Sequence, residues 1–322
     1  MRVFITGATG FIGKHLIKRL KQTGHQLNCL VRKQSAVDEL KVPNVTLVPG
    51  DVTDKDSIIK AMTGCDSVIN LANVYSFWEP DKRIYSRINI DGTRNVMEAV
   101  LKTGISKVIH ISSVVVYGKP AEIPFNEESA PGPFKYSEYA RTKYEGDLIA
   151  WKMFEKEKLP LVVIYPAAVM GPGDTKTTGA YVKAIVNRKM PAIALPDSVL
   201  TFVHVGDVAE AIVRALEKPN NIGEKYLIGK YQLSMGEINE MIREISGVRL
   251  PRLRLPDFMV TLNAYLLTLI ADIIKKPPLW GLSVDQIKTM KAGFRCDGSK
   301  AERELGLAYT PIRTALEGML SA

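Results

Sequence analysis

A glycine-rich loop near the start of the chain is the feature that most restricts the fold. It lies between a short apolar run and a helical pattern and reads Thr6-Gly7-Ala8-Thr9-Gly10-Phe11-Ile12-Gly13. In such a loop the first glycine permits a tight turn, the second lets a pyrophosphate approach the backbone, and the third lets the helix pack on the strand. Free N–H groups and the helix dipole favour an anion there. The strand–loop–helix order therefore predicts a dinucleotide-binding turn.

The first half of the chain alternates short apolar runs with helical patterns. The runs are β-branched and apolar on both faces, which is typical of buried parallel strands, and they predict strands over Val3–Thr6, Gln26–Val31, Val45–Val48, Ser67–Leu71, Lys107–Ser112 and Pro160–Tyr165. Helices are predicted between them, over Phe11–Thr23, Asp54–Met62, Asn89–Lys102 and Ser137–Lys158. Repeated β-α-β units indicate an α/β fold with a Rossmann-type, doubly wound parallel sheet.

The pattern changes after about residue 170, where prolines and glycines cluster and helices dominate. Helices are predicted over Gly179–Asn187, Asp207–Lys218, Ser234–Ser246, Pro256–Ile274, Ser283–Lys291 and Ser299–Leu305. We therefore expect a dinucleotide-binding domain over residues 1–170, with residues 203–230 returning to the sheet. Residues 171–322 are expected to form mostly a smaller, helical substrate-binding lobe.

Charge and cysteine content exclude several classes of protein. The formal net charge is +9, but Lys and Arg are scattered without a dense basic run, so a nucleic-acid partner is not indicated. Cys29, Cys65 and Cys296 contain no C-x-x-C pair, which argues against a disulfide framework and a zinc site and favours a reducing, cytoplasmic location. His204 has no Cys/His cluster nearby and is interpreted as a packed, hydrogen-bonded histidine, so no metal is expected.

The most apolar stretch of the second half runs from Phe258 to Ile274. It contains Asn263 and Asp272 and falls short of the roughly 20 residues of a membrane span. We expect a buried or lid-forming helix there and no stable membrane insertion. The oligomeric state is left open, with a homodimer among the alternatives.

Tyr139 and Lys143 lie four residues apart in a predicted helix, so their side chains share one face. A free tyrosine has a pKa of roughly 10, which is too high for a base near neutrality. A neighbouring lysine, together with the positive charge of an oxidised nicotinamide, stabilises the phenolate and lowers that pKa. The pair predicts a tyrosine that exchanges a proton with a substrate hydroxyl or carbonyl while a hydride moves.

Ser112 and Ser113 lie at the end of a predicted strand, followed by Val114-Val115-Val116-Tyr117-Gly118. A hydroxyl at the carboxyl end of a parallel strand lies in the crevice where such folds bind ligands. Simple turn chemistry is the alternative, but Tyr139 downstream in the expected order favours a catalytic centre.

The glycine spacing is G-x-x-G-x-x-G. This spacing and two later segments together carry a resemblance to a known family. The two segments are Asn89-Ile90-Asp91-Gly92-Thr93-Arg94-Asn95 and Phe202-Val203-His204-Val205-Gly206-Asp207-Val208-Ala209. The chain resembles the extended short-chain dehydrogenase/reductases (the NAD-dependent epimerase/dehydratase family) over nearly its whole length. The segments Tyr75–Asp81, Arg188–Pro191 and Asp297–Gly306 resemble dihydroflavonol-reductase-like proteins and the hopanoid-associated sugar epimerase-like group.

The resemblance implies roles for particular residues. Ser113 would be the catalytic serine, donating to the substrate oxygen, with Tyr139 and Lys143 completing the centre and Ser112 as its neighbour. Asn89 would contact the cofactor side of the site, although it could equally be a helix N-cap. The remaining cofactor contacts implied by relatives are Asp51 and Val52 at the adenine, Leu71, Ala72 and Asn73 along the ribose and phosphates, and Tyr165, Pro166, Ala168 and Val169 near the nicotinamide.

Two of these assignments need qualification. Asn70-Leu71-Ala72-Asn73 departs from the family's His-x-Ala-Ala at Asn70 and Asn73, which puts side-chain contacts in doubt and leaves backbone contacts intact. Asp51 could also be a turn residue or helix cap.

The second predicted strand ends without the acidic residue that bonds the ribose hydroxyls of NAD. It continues into Arg32 and Lys33, whose positive charge fits a 2′-phosphate. An ordinary surface cation is the alternative for Arg32. The sequence therefore favours NADP(H) over NAD.

Three functions remain open at this stage. The first is a reductase or dehydrogenase that transfers hydride between NADP(H) and a carbonyl/hydroxyl substrate, for which the aromatic segment Tyr75–Trp78 suits a partly apolar ligand. The alternative for these aromatics is core packing. The second is a nucleotide-sugar epimerase or dehydratase that reduces its cofactor transiently. The third is a non-catalytic NADP-sensing protein, against which the intact Ser113, Tyr139 and Lys143 argue.

Overall fold

The computed structural model describes residues 1–321 of the chain. Its main sheet contains β1 (Arg2–Thr6), β2 (Gln26–Val31), β3 (Val45–Pro49), β4 (Ser67–Asn70), β5 (Lys107–Ile111), β6 (Leu161–Pro166) and β9 (Lys225–Ile228). These strands pair in parallel in the order β3-β2-β1-β4-β5-β6-β9. The strand order reverses between β1 and β4, which opens a crevice at their carboxyl ends. The predicted doubly wound α/β fold is confirmed.

Helices cover both faces of this sheet. They are α1 (Phe11–Leu20), α2 (Lys55–Met62), α4 (Thr93–Thr103), α5 (Glu138–Glu157) and α7 (Val205–Glu217). Helix α1 packs against α7, whereas α2, α4 and α5 pack side by side. Side-chain caps begin two of them, because Asp54 accepts from the backbone N–H of Ser57 and Ser137 accepts from that of Ala140.

The second half of the chain adds a smaller lobe. It contains α6 (Thr177–Val186), α8 (Met235–Ser246), α9 (Asp257–Ile274), α10 (Val284–Ala292) and α12 (Ile312–Leu320). Helix α11 (Ser299–Leu305) instead packs against β9 and α7 of the main domain, so this part of the predicted lobe returns to the main sheet. A sheet of β7 (Ala168–Met170), β8 (Val199–His204) and β10 (Tyr231–Ser234) lies within it, in the order β10-β8-β7. This sheet was not predicted, because strands of 3, 6 and 4 residues give too little alternation to be recognised.

The helix around Asn89 begins earlier than expected. The chain is helical from α3 (Arg83–Tyr85) through a π-helical turn, Ser86–Gly92, into α4. Asn89 therefore lies inside a continuous helix, and the interpretation of Asn89 as a helix N-cap is wrong. A π-turn widens the helix locally and is frequent at functional sites.

Helix α9 is much more exposed than expected. Its residues Val260 and Ala264 are buried against α10 and Ala271 is also buried, but most of its other apolar side chains are exposed. The expectation of a buried helix is wrong, because α9 packs on one side only. By length and composition it could cross a membrane, and 17% of its most apolar window is buried.

Candidate active site

A single long cavity of about 820 Å³ opens at the carboxyl ends of the main strands and continues into the lobe. This volume is within the usual range for small-molecule sites. We call its first part the cofactor end, which is lined by Gly7, Thr9, Gly10, Phe11, Ile12, Gly13, Arg32, Ser35, Asp51, Val52, Leu71, Ala72 and Asn73. We call its second part the substrate end, which is lined by Tyr75, Phe77, Thr177, Tyr181, Phe202, Met235, Ile238, Gln286, Met290 and Phe294.

The glycine loop forms a closely packed cradle. Gly7 has a φ of +73°, and a Cβ at this residue would lie 2.8 Å from the backbone nitrogen of Ala72. A Cβ at Gly13 would lie 2.3 Å from the carbonyl oxygen of Gly7. Gly10 begins α1 without a side-chain cap, so the first N–H groups of the helix have no side-chain acceptor. The residues present therefore fit the pyrophosphate of a dinucleotide.

Arg32 directly follows β2 and lines the cofactor end together with Ser35. Its side chain forms no ion pair with any other residue in 1–321. Lys33, the other cation at this strand end, is exposed but does not line the cavity. A guanidinium without a carboxylate partner is available to an anionic ligand group.

Two neighbouring loops complete the cofactor end. The carboxylate of Asp51 accepts hydrogen bonds from the backbone N–H and hydroxyl of Thr53, so it stabilises its own turn while lining the cavity. The hydroxyl of Thr6 donates to Asn70 Oδ1 (2.6 Å) and accepts from the N–H of Ala72 (3.1 Å). These bonds hold the segment after β4 against β1, where Leu71, Ala72 and Asn73 reach the cavity.

Ser113 and Tyr139 lie where the two ends of the cavity meet. A hydrogen bond with Ser113 favours the phenolate of Tyr139, but burial of the phenol has the larger effect and raises its pKa well above the ordinary 10. Tyr139 is therefore protonated near neutral pH in the cofactor-free protein. The expected lowering of this pKa by Lys143 is not seen: burial dominates, and Tyr75 and the charge of Asp147 raise the pKa further.

Lys143 lies beneath the site and does not line the cavity. Its ammonium donates to the carbonyl oxygen of Ile111 at 2.8 Å. Burial lowers the pKa of Lys143 to about 8, an effect that the carboxylate of Asp147 partly offsets. The lysine is thus close to its own titration point at physiological pH.

A buried polar network behind Lys143 was missed by the sequence analysis. Asp147 Oδ2 accepts from the hydroxyl of Ser112 at 2.8 Å, and its Oδ1 lies 3.4 Å from His110 Nε2. The amide of Asn70 donates to His110 Nδ1 at 3.2 Å, and burial lowers the pKa of His110, which keeps it neutral. The sequence contained one indication of this network: Asp147 follows Lys143 by four residues, so the two side chains share one face of the helix.

Asn89 and Tyr165 do not line the cavity, contrary to the cofactor contacts assigned to them. Asn89 Oδ1 accepts from the N–H of Val74 (2.8 Å), and its amide donates to the hydroxyl of Thr142 (3.0 Å). It therefore ties the segment after β4 to α5. The Tyr165 ring lies in the core, where its hydroxyl accepts from the indole N–H of Trp151. Pro166, Ala168 and Val169, from the same stretch, do line the cavity.

Aromatic rings surround the Tyr139 phenol from the substrate end. The ring of Tyr75 packs edge-on to that of Tyr139 at 5.2 Å between centroids, and Phe77 does so at 6.3 Å. These rings therefore form part of the cavity wall. They are not buried in the main core, which was the alternative for this segment.

His204 caps α7, because its Nδ1 accepts from the N–H of Gly206 at 3.0 Å. Within residues 1–321, no cluster of three or more His, Cys, Asp or Glu side chains is placed to hold a metal ion.

Sequence comparison places this architecture among known proteins. The model of the NAD dependent epimerase/dehydratase family matches residues 3–229. The chain belongs to this family of enzymes. It is 29% identical over 320 residues to a Synechocystis sp. protein that carries the provisional name dihydroflavonol 4-reductase, with 97% of this chain and 92% of that protein covered. It is 28% identical to sterol demethylase protein B of Methylococcus capsulatus, with 98% and 96% covered.

Solved structures share the fold along the whole chain. The crystal structure of gox2253 superimposes with a TM-score of 0.85 at 30% identity, covering 99% of this chain and 96% of that one. UDP-glucuronic acid 4-epimerase from Bacillus cereus, solved with UDP-glucuronic acid and NAD, superimposes with a TM-score of 0.80 at 24% identity, covering 100% and 98%. The enzyme is therefore a member of the extended short-chain dehydrogenase/reductases and uses a nicotinamide cofactor.

Proposed function

We propose that this enzyme is an NADP(H)-dependent reductase or dehydrogenase for a carbonyl/hydroxyl group on a largely apolar substrate. The observation that carries the proposal is the composition of the substrate end, where Tyr75 and Phe77 pack edge-on to the Tyr139 ring and Phe202, Met235 and Met290 line the same cavity. Such a wall binds apolar groups by burying them and supplies few polar partners.

The charges along the cavity favour this substrate class over a nucleotide sugar. Among the described residues that line the cavity, the cations are Lys14, Arg32 and Lys176. Only Lys176 lies near the substrate end. Glu79 and Asp174 line the same region. The diphosphate of a nucleotide sugar would need unopposed cations there. The relative named for sterol demethylation also supports an apolar substrate.

The side chains divide the chemistry between them. When bound, the nicotinamide supplies a hydride to the carbonyl carbon or accepts one from the alcohol carbon. Tyr139 donates the proton to the carbonyl oxygen during reduction, and its raised pKa keeps that proton in place until substrate arrives. Ser113 donates a hydrogen bond to the same oxygen. Lys143 then stabilises the phenolate that remains on Tyr139.

Arg32 supports the choice of NADP(H). It lies at the end of β2 with no acidic residue beside it, and its guanidinium has no carboxylate partner among the described residues. A 2′-phosphate offers that guanidinium a bidentate partner, and the hydroxyl of Ser35 lines the same part of the cavity.

The test is incubation of the purified enzyme with NADPH and a panel of substrates. The panel contains apolar ketones, apolar aldehydes and nucleotide sugars, and the readouts are absorbance of NADPH and chromatography of the products. We expect net loss of NADPH, matched mole for mole by alcohol, with an apolar member of the panel.

Two other outcomes would contradict the proposal. Isomerised nucleotide sugar without net loss of NADPH would indicate the epimerase reaction. Tight NADP binding with no change in any substrate would indicate a cofactor-sensing protein.

A further inference from the structure

Helix α9 presents its apolar side chains to the outside of the protein. Nine large apolar residues of this helix are exposed: Phe258, Met259, Leu262, Tyr265, Leu266, Leu269, Ile270, Ile273 and Ile274. At 3.6 residues per turn they cover about half of the helix circumference and about 24 Å of its length. We call this surface the α9 apolar face. Contiguous patches of this kind mark interaction sites in soluble proteins.

Three polar side chains of the same helix contact the rest of the protein, whereas Asp257 at its start is exposed and Asn263 is half-buried. Thr261 accepts from the ammonium of Lys291 at 2.8 Å, and Thr268 accepts from the N–H of Val284 at 3.0 Å. Asp272 accepts from the indole N–H of Trp78 at 2.9 Å. A helix that merely covers a soluble protein has the opposite arrangement, with apolar residues inward and polar residues outward.

Exposed cations lie at both ends of the α9 apolar face. Arg249, Arg252 and Arg254 precede the helix, in a stretch from residue 245 to 256 that contains no acidic residue. Lys275 and Lys276 follow it, in an equally acid-free stretch from residue 273 to 284. That second stretch also exposes Leu279 and Trp280. Apolar side chains flanked by cations and an aromatic residue match the chemistry of an anionic lipid surface.

Two other arrangements fit this surface less well. A second copy of the chain, paired through the same face about a two-fold axis, would bring cations against cations at either end, whether the helices ran parallel or antiparallel. Insertion across a bilayer would break the contacts of Thr261, Thr268 and Asp272 with the rest of the protein.

We propose that the α9 apolar face binds the surface of an anionic lipid bilayer, with the helix lying in the plane of the interface. The buried residues Val260 and Ala264 pack against Ile287 of α10, and its neighbours Gln286 and Met290 line the substrate end of the cavity. A bilayer bound to this face would therefore be separated from the substrate end by helices α9 and α10 alone. The proposal rests on the surface alone and does not depend on which reaction the enzyme catalyses.

The test is co-sedimentation of the purified enzyme with vesicles. One set contains phosphatidylcholine alone, and the other contains phosphatidylcholine with phosphatidylglycerol as the anionic lipid. We expect binding to the anionic vesicles at least ten-fold tighter than to the neutral ones, weakening as salt is raised.

Matched variants separate the apolar and the charged contributions. Leu262→Ser with Leu269→Ser, both 58% exposed, should weaken binding to either vesicle by at least ten-fold. The control is Phe134→Ser with Ile222→Ser, two exposed residues outside the face, which should bind as the wild type does. Lys275→Gln with Lys276→Gln should weaken binding to the anionic vesicles by about five-fold per lysine, and Lys152→Gln with Lys156→Gln should not.

Circular dichroism and NADP binding show whether each variant is folded, and all of these substitutions are at exposed sites. The proposal is overturned if the wild type sediments with neither vesicle or equally with both. It is also overturned if the Leu262→Ser/Leu269→Ser variant binds like the wild type. A wild-type dimer that the same variant dissociates in analytical ultracentrifugation would show that a second copy covers the face instead.

Discussion

The cofactor end and the substrate end of the cavity are lined by different kinds of residues. The cofactor end is formed by the glycine loop and by the segments that follow the carboxyl ends of β2, β3 and β4, which lie with β1 in one sheet. The substrate end consists of large side chains such as Tyr75, Phe202 and Phe294, from segments far apart in the chain. Backbone contacts tolerate few substitutions, whereas a wall of side chains can change its shape without loss of the fold. We expect substitutions at the two ends to affect different measured quantities.

The largest effect is expected where the two ends meet. Tyr139→Phe removes the hydroxyl that donates the proton and little else, so turnover should fall by about a thousand-fold or more. The dissociation constant of NADP should stay within a few-fold, because the cofactor end is unchanged. Steady-state kinetics and cofactor titration measure the two quantities.

Tyr144→Phe is the control for this substitution, because it removes a hydroxyl from the same helix outside the cavity. Its turnover should equal that of the wild type. Near-normal turnover in Tyr139→Phe would refute the proposed role of the phenol.

The second effect concerns Lys143, which is buried beneath the point where the cofactor end and the substrate end meet. Burial lowers the pKa of Lys143 from its ordinary 10.5 to about 8. Below pH 8 the ammonium is charged in the folded and the unfolded protein, and its burial destabilises the folded state. Between about pH 8 and 10.5 the unfolded state binds more protons, so the free energy of unfolding rises with pH.

We expect this rise to reach about 3 kcal/mol when the wild type is compared with Lys143→Met, in which no such group titrates. Chemical denaturation at a series of pH values gives the difference. If the difference in free energy of unfolding between the two proteins stays constant or falls between pH 8 and 10.5, burial does not lower the pKa of Lys143.

The third effect tests how closely the backbone of the cofactor end is packed. Gly13→Ala would place a Cβ 2.3 Å from the carbonyl oxygen of Gly7, and no flexible side chain is there to move. We expect a loss of about 2 kcal/mol in stability and a weaker affinity for NADP. Thermal melts with and without NADP measure both.

Gly24→Ala is the matched control, because a Cβ there meets no atom within 4 Å. It should leave both quantities unchanged. Equal behaviour of the two variants would mean that the glycine loop is not the tight cradle described above.

The difference between the two ends also explains what could be predicted from the sequence. The glycine loop, the strands of the main sheet and the Tyr139/Lys143 spacing are local patterns, and the structure places the predicted strands within one residue at each end. The position of the aromatic segment is not local. It depends on Asn89, which holds Val74, and on Trp78, which bonds to Asp272 almost two hundred residues away.

The surroundings of α9 could not be predicted from the sequence either. Its apolar pattern predicted a helix correctly, but the same pattern is typical of a core helix, a lid and a membrane-binding helix. Only the packing of Val260 and Ala264 against α10 shows which side faces the protein. The buried network of Asp147, Ser112 and His110 required the register between α5 and β5, which no short motif reveals.

The fourth effect concerns cofactor choice at the cofactor end. Arg32→Asp replaces the cation at the end of β2 with an acid, which repels a 2′-phosphate and can accept from ribose hydroxyls. We expect the ratio of kcat/KM for NADP to that for NAD to fall by about ten-fold or more, and turnover at saturating cofactor to change little. Lys33→Asp makes the same change in charge outside the cavity and should leave the ratio within two-fold of the wild type. A wild type that already prefers NAD would refute this assignment.

The smallest effect is expected from the wall of the substrate end. Phe77→Ala removes one ring that lines the cavity 6.3 Å from the Tyr139 ring, so it removes apolar contact area for a substrate while the glycine loop and Arg32 stay in place. We expect KM for an apolar ketone to rise by about five- to ten-fold, with the dissociation constant of NADP unchanged. Phe134→Ala, at an exposed position away from the cavity, is the control and should change neither. If Phe77→Ala instead weakened NADP binding as strongly as it raised KM, the two ends would form one continuous cofactor site, and the substrate would have to bind elsewhere.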